Sequence, residues 1–323
     1  MAEIEKKTKR YPSDLTDEEW EQIAPLLPKP AKKGRKPEVD LREVLNAIRY
    51  MARSGGGWRM LPRDFPPWQT VYWWFRRFVR LLLFRTIHDV ALMIDRERTG
   101  RAGSPTAGVI DSQSVKAPAA KKRGYDAAKK VVGRKRHIAV DTDGRLLMVN
   151  LTTADIADSA GAQIILHAIR QRWPWIKHLF ADGAYDRRKL MDKAAFEGFV
   201  IEVVRRIDGE PGFNVLPRRW VVERTFAWMM RWRRLVRDYE RRIDVSKAMI
   251  HVALVRNQFI RPICITRIAA GPRMTTNSTG RKNRIIGTVS FGGRPAAFFS
   301  ASDMRMSRFS CAITRSVCAI GVP

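Results

Sequence analysis

Apolar residues recur at three- and four-residue spacing in the first third of the chain. Trp20, Ile23, Leu26 and Leu27 follow Thr16, and Glu19 completes a capping box with it, so a helix is predicted over 17–27 with Pro28 as its stop. Asp40 with Glu43 repeats the capping signature before Val44, Leu45, Ile48 and Met51, and Gly55, Gly56 and Gly57 end that helix. A third helix is expected from Trp68 to about Leu83, mixing Tyr72, Trp73, Trp74, Phe75 and Phe78 with Arg76, Arg77 and Arg80. A fourth runs through Val90 to Arg98.

Beyond residue 105 the period changes. Short apolar runs at 107–111, 136–141, 146–154, 178–182 and 199–206 read as five strands, and Asp143-Gly144 supplies a hairpin turn between the second and third. Helical stripes fall at 159–172 and 188–197, and one long helix is predicted from Pro217 to about Arg241. Meandering strands followed by alternating helix and strand define an α/β class with a mixed sheet. The predicted organisation is therefore an all-α, helix-turn-helix-like part at 1–105, an α/β domain at 106–265 and a poorly structured tail at 266–323. The tail holds a single acid, Asp303, and no sustained period.

Composition changes this picture in one respect. The chain has 323 residues and a formal net charge of +29, yet 45% of it is hydrophobic, enough for a real core. The excess is spread along the chain, +7 over 1–105, +14 over 106–265 and +8 over 266–323. A polyanion, above all DNA or RNA, is the partner that such a charge serves; a merely solubilising surface is the plainer alternative. No apolar run is long enough for a membrane span, the N-terminus has no secretory apolar region, and the three cysteines form no CxxC pair, so a cytoplasmic protein without zinc is expected. The five histidines show no ligand spacing and read as structural.

Two apolar strands end in a carboxylate, Asp111 and Asp182. An ionised acid there is costly unless it is paired or binds a metal. Glu223, on the predicted long helix, is a third candidate; at about 100° per residue Arg219 and Arg234 fall within roughly 40° of it. The same spacing suits an ordinary surface ion pair. Asp186, Asp141 and Asp143 are rival acids, read as turn or cap residues. Three carboxylates can hold two divalent cations for in-line phosphoryl transfer, and hard oxygen ligands suit Mg²⁺. Arg59, Arg63, Gln69, Arg76 and Arg77 are candidate DNA contacts in the helical part, with Trp73 and Trp74 assigned to packing. Lys116, Lys135, Arg136, Arg219, Arg231 and Arg234 are candidates in the second.

The motifs VIDSQSVK (109–116), GYDAAKKVVGRKRHIAVDTDG (124–144), LFADGAYD (179–186) and RRWVVERTFAWMMRWRRLVRDYE (218–240) resemble DDE transposases of the insertion-sequence five group. LTDEEWEQIAPLLP (15–28) and the stretch 54–78 are similar to that group's N-terminal part. The resemblance implies a ribonuclease-H-like fold with Asp111, Asp182 and Glu223 as the triad. It also implies Mg²⁺ or Mn²⁺, two ions, as cofactor. Double-stranded DNA, both element ends and target, would be the substrate, and a homo-oligomeric synaptic complex would act on it. The group's helix signature, Tyr-x₂-Arg-x₃-Glu-x₆-Lys, is met at Arg219 and Glu223, whereas Leu216 and Met230 stand at the Tyr and Lys positions. A catalytically inactive DNA-binding remnant, or another nuclease on the same fold, are the competing expectations.

Overall fold

The computed structural model describes residues 10–29, 38–205 and 218–259, with the side chains of 256–259 left aside. The tail expected at 266–323 and Leu216 of the helix signature lie outside the described residues. All described residues belong to a single compact unit.

The N-terminal part is helical. Helix α1 (Asp17–Ile23) carries the capping box at Thr16 and Glu19, and a 3₁₀ turn continues it over Ala24–Leu26. Helix α2 (Leu41–Ser54) starts at Asp40, whose side chain accepts from the Arg42 N–H, and ends where Gly55 turns left-handed at φ 76°. Glu19 also forms a buried ion pair with Arg49 at 2.9 Å, which locks α1 onto α2. Helix α3 (Trp68–Arg80) is shorter than its period predicts. Leu82 turns left-handed at φ 54°, and α4 (Leu83–Arg98) starts there, well before Val90. The break rotates Leu83, Phe84 and Ile87 into the core, a gain the local period cannot register.

The sheet contains β1 (Ala107–Lys116), β2 (Gly124–Asp126), β3 (Val131–Asp141), β4 (Leu146–Thr153), β5 (His178–Ala181) and β6 (Val200–Val203). Among the described residues it has six strands, not five. The sixth, β2, pairs the start of β3 on the edge that β4 occupies further along. β1 is antiparallel to β3 and parallel to β5, and β5 is parallel to β6. Three antiparallel strands joined to two parallel ones, covered by helices on both faces, make a ribonuclease-H-like sheet. β1 also runs five residues beyond Asp111, because β3 pairs with it as far as Lys116.

Each sheet face has its own core. Val109, Ile138, Val140 and Phe180 pack with Val222, Phe226 and Met229 of α7 (Trp220–Met230) and with the N-terminal helices. Ile110, Ala139, Leu179 and Ala181 face α5 (Asp158–Arg172) and α6 (Arg188–Phe196). The strict alternation of these sets along β1, β3 and β5 follows from the two-residue strand period.

The long helix predicted to Arg241 stops at Met230. Trp232 takes an extended conformation and buries its ring to 2% exposure. A short α8 (Arg233–Val236) follows, then α9 (Ile243–Phe259), a helix with no counterpart among the predicted elements. α9 packs along α4 and α2, and its apolar residues, interrupted by Asp244, Lys247, His251 and Arg256, fall around the helix rather than along one stripe. Among the described residues no helix is long and apolar enough to cross a membrane.

The turn between β3 and β4 seats α7. Gly144 sits at φ 79°, its carbonyl accepts from the Thr225 hydroxyl at 2.7 Å, and Arg224 donates to the Asp143 carbonyl at 2.6 Å. A Cβ on Gly144 would meet Thr225 Oγ1 at 2.9 Å and Val221 Cγ1 at 3.0 Å. Gly144→Ala is expected to cost about 1–3 kcal/mol in urea unfolding, from left-handed strain and overpacking together. A cost under about 0.5 kcal/mol would mean that α7 is not seated on this turn.

Candidate active site

Parallel pairing of β1 with β5 brings the first two predicted acids together. The register runs Ala107 to His178, Gly108 to Leu179 and Val109 to Phe180. Continued by two residues, it sets Asp111 beside Asp182, about 4.8 Å away across one strand spacing. Both share the parity of Val109 and Phe180, so both belong to the α7 face of the sheet. Seventy-one residues of chain separate two acids that the sheet makes neighbours.

The Asp182 side chain accepts from the Ala184 N–H at 2.9 Å and pairs with Arg219 at 3.5 Å. Asp111 accepts from the Ser112 N–H at 2.7 Å. Burial pushes the Asp111 carboxyl up to about 7; the Ser112 N–H opposes the rise, the charge of Asp182 adds to it, and Lys129 and Arg219 pull it back. Tyr185, exposed to only 2%, lies in the field of Asp111, Asp158 and Asp182. Burial and these charges raise its hydroxyl well above the ordinary value, which keeps it a neutral donor.

A second polar row runs beside the pair. The Ser112 hydroxyl donates to Asp158 at 2.6 Å, and Lys135 bridges Asp158 at 2.9 Å and Asp126 at 3.5 Å. Ser114 donates to Asp126 at 2.5 Å. Tyr185, Ser112, Asp158 and Lys129 were missed from sequence. The only signal was Ser112 next to Asp111 and Tyr185 three residues after Asp182, and neither is a motif by itself.

Glu223 stands one turn beyond Arg219 on α7 and is exposed. Among the described residues no three Asp, Glu, His or Cys side chains stand close enough to share one ion. The fold unites Asp111, Asp182 and Arg219, and Glu223 follows Arg219 by one turn of α7. The neighbouring carboxylates still suit an oxygen-seeking divalent cation, since burial first and Asp182 as well raise the Asp111 carboxyl, and such a cation relieves both.

The other candidates divide by exposure. Arg59, Arg63, Gln69, Arg77, Lys116 and Arg231 are exposed, and Arg76 and Arg219 are half-buried. Arg77 lies over the rings of Trp73 and Trp74 at 5.5 and 5.6 Å. Trp74 is core, but Trp73 is 51% exposed, which corrects its assignment to packing. Three cations read as DNA contacts are buried instead. Arg136 is covered and donates to Gln113 at 3.3 Å, and Lys135 is held by the two aspartates. Arg234 bonds Glu240 at 2.7 Å and the Gly56 carbonyl at 2.8 Å. The helix break at Trp232 carries Arg234 off the face it would share with Glu223 on a continuous helix. The rival acid Asp141 is wholly buried, accepting from Arg96 and Arg145. Asp186 pairs with Arg205.

Paired acids on adjacent parallel strands of a ribonuclease-H-like sheet define a class of metal-dependent phosphodiester enzymes. Comparison with known proteins narrows the class. Residues 102–258 match the family model described as "Transposase DDE domain", and residues 15–88 match one described as "Putative transposase of IS4/5 family". A Burkholderia cepacia protein named "Putative transposase for insertion sequence element IS402" is 32% identical over 157 residues, 44% of this chain and 69% of that protein. A Sinorhizobium fredii protein, "Uncharacterized protein y4sN", is 34% identical over 83 residues, 26% of this chain and 64% of its own. The chain belongs to the DDE transposases of the IS4/5 type. Such enzymes cut and transfer DNA and generally use divalent metal ions.

Proposed function

We propose that this chain binds the inverted-repeat ends of its insertion sequence, cleaves phosphodiester bonds there and joins the freed 3′ ends to target DNA. The observation that supports this most directly is the side-by-side setting of Asp111 and Asp182 on β1 and β5, with Arg219 against them. In this reading Asp111 and Asp182 hold Mg²⁺ or Mn²⁺, with Glu223 as the third acid and two ions in all. When bound, the metal lowers the pKa of a water or 3′-hydroxyl and stabilises the leaving oxygen. Arg219 orients the Asp182 carboxylate and offers its remaining N–H groups to a phosphate oxygen. Tyr185 offers a hydroxyl donor beside the acids without competing as a base.

Arg59, Arg63, Gln69, Arg76 and Arg77 are the proposed duplex contacts of the helical part. Lys116 and Arg231 are exposed candidates in the rest. Direct contact by Lys135, Arg136 or Arg234 is not part of the proposal, because their burial leaves no room for a phosphate.

The test is a nicking assay with Mg²⁺ on a duplex carrying the inverted repeat that borders the gene. The wild type should nick at the repeat terminus. Asp182→Asn and Glu223→Gln should lose cleavage while binding the duplex with unchanged affinity. Retained cleavage by Glu223→Gln would remove Glu223 from the metal set. Binding without any cleavage by the intact protein would favour a DNA-binding remnant.

A further inference from the structure

A cleft of about 470 Å³ lies at the far end of the sheet's central strands. Lys116, Arg123, Lys130 and Arg237 line it together with Ala117, Pro118 and Val132, and no acid does. All four cations are exposed. Arg123 donates to the Pro118 carbonyl at 3.3 Å, leaving most of its guanidinium donors open, and none of the four takes part in the ion pairs of the described residues. Elsewhere on this face the cations are matched: Arg134 by Asp238, and Arg234 by Glu240. Four like charges drawn together without a counter-charge repel one another, and that cost is recovered when a polyanion enters.

The position of the cleft says which polyanion fits. Val132 has the β3 parity of Ile138 and Val140, so it belongs to the same sheet face as Asp111 and Asp182. Asp111 is opposite Ile138, six residues along β3 from Val132. That is about 20 Å at ~3.3 Å per residue, or roughly six base-pair steps of duplex at 3.4 Å each. Tyr125, 53% exposed, is paired opposite Val132 and stands on the same face. One short loop joins the two places. Lys129 bears electrostatically on Asp111, and its neighbour Lys130 lines the cleft with its backbone left-handed at φ 52°. A non-glycine residue is seldom held in that conformation without a reason.

We infer that this cleft grips the phosphate backbone of duplex DNA about half a helical turn from the acids and so positions the strand to be cut. The inference rests on the transposase reading and adds to it a specific anchoring site. Lys116, Arg123 and Arg237, each neutralising about one phosphate, contribute about three phosphates to the salt dependence of binding.

The experiment compares the full chain with the triple variant Lys116→Gln, Arg123→Gln, Arg237→Gln. Fluorescence anisotropy with a labelled 30-base-pair duplex would be read across a series of KCl concentrations. The expected result is about tenfold or greater weakening at 100 mM salt and a log–log salt slope reduced by about 2.7, at ~0.9 for each phosphate no longer neutralised, with the melting temperature unchanged. A charge-matched control, Arg187→Gln with Arg188→Gln and Lys189→Gln at the exposed start of α6, should keep the wild-type slope. Wild-type binding with an unaltered slope in the triple variant would overturn the cleft and leave the transposase reading intact. An equal loss in the α6 control would overturn it too, by showing a diffuse charge effect. No duplex binding by the wild type would bring down the transposase reading and the cleft with it.

Discussion

Replacing Asp111 by asparagine is expected to abolish strand cleavage and, in the same molecule, to raise the stability of the metal-free protein at pH 8. The two effects share one cause. Burial and the neighbouring Asp182 hold the Asp111 carboxyl at about 7 in the folded state, against 3.8 as its ordinary value. Between these values the folded chain binds a proton that the unfolded chain has released, so stability falls as pH rises through 7 and the penalty is complete above it. Three pH units correspond to about 4 kcal/mol as an upper bound, so a gain of roughly 2–4 kcal/mol is expected. The groups facing Asp111 set the sign: Asp182 and burial raise it, while the Ser112 N–H, Lys129 and Arg219 lower it. Thermal melts of wild type and Asp111→Asn in EDTA should therefore coincide at pH 4 and separate at pH 8, and saturating Mg²⁺ should close the gap. A variant that melts below the wild type at pH 8 would show that Asp111 is stabilised in place, and full cleavage by it would remove Asp111 from the chemistry.

Arg145→Met should be the most destabilising single change outside the active site. Arg145 is buried between the end of α4 and the β3–β4 turn. It donates to Asp95 at 2.7 Å, to Asp141 at 3.3 Å, to Asp143 at 2.5 Å and to the Thr99 hydroxyl at 3.1 Å. Arg96 joins from α4, donating to Asp141 at 2.5 Å. Methionine fills much of the volume but takes from Asp95 one of two guanidinium partners, Arg98 at 2.7 Å remaining, and leaves Asp141 to Arg96 alone. Breaking one partner of such a network costs about 3–5 kcal/mol, roughly 4–7 °C in melting temperature for a chain of this size. Asp95→Asn combined with Arg145→Met should recover more than about 1 kcal/mol of the summed single costs, because it removes the buried charge that Arg145 had helped Arg98 to balance. A cost below about 1 kcal/mol for Arg145→Met, or strict additivity in the pair, would contradict the network. The loss should reach the active site as well, since the same turn seats α7 through Gly144 and Asp143.

Much of the candidate site was legible in the sequence. An acid closing an apolar run is a local signal, and Asp111 and Asp182 both carry it. The motifs around them led to the family that the comparisons bear out. The cations were harder to read. Lys135 and Arg136 sit in a basic run, GRKRHIAVD, which looks like a solvated or DNA-facing strand. Nothing near them in sequence reveals the partners that bury the run. Arg134, within it, meets Asp238 at 2.9 Å from 104 residues away. Lys135 is taken up by Asp158 and Asp126. Charge alone predicted a DNA surface; pairing decided which charges are left for it, and those around Lys116 and Arg237 are among them.

The helices divide in the same way. Caps and stops are local chemistry, so Thr16 with Glu19, Asp40 and Gly55 all mark ends that the fold keeps. The breaks at Leu82 and Trp232 have no such local signature. Each follows from what the chain buries next, Leu83 and Phe84 in one case and the Trp232 ring in the other.

The sequence by itself determined the acids, the strand and helix types, the excess of positive charge and the family, because each is written in neighbouring residues or in recurring motifs. Only the tertiary structure decided that Asp111 and Asp182 stand side by side, that Arg136 and Arg234 are buried, and that four cations without an ion pair among the described residues share a cleft. The physical reason is that strand register and buried ion pairing join residues tens to a hundred positions apart, and no local period records which partners the core will bring together.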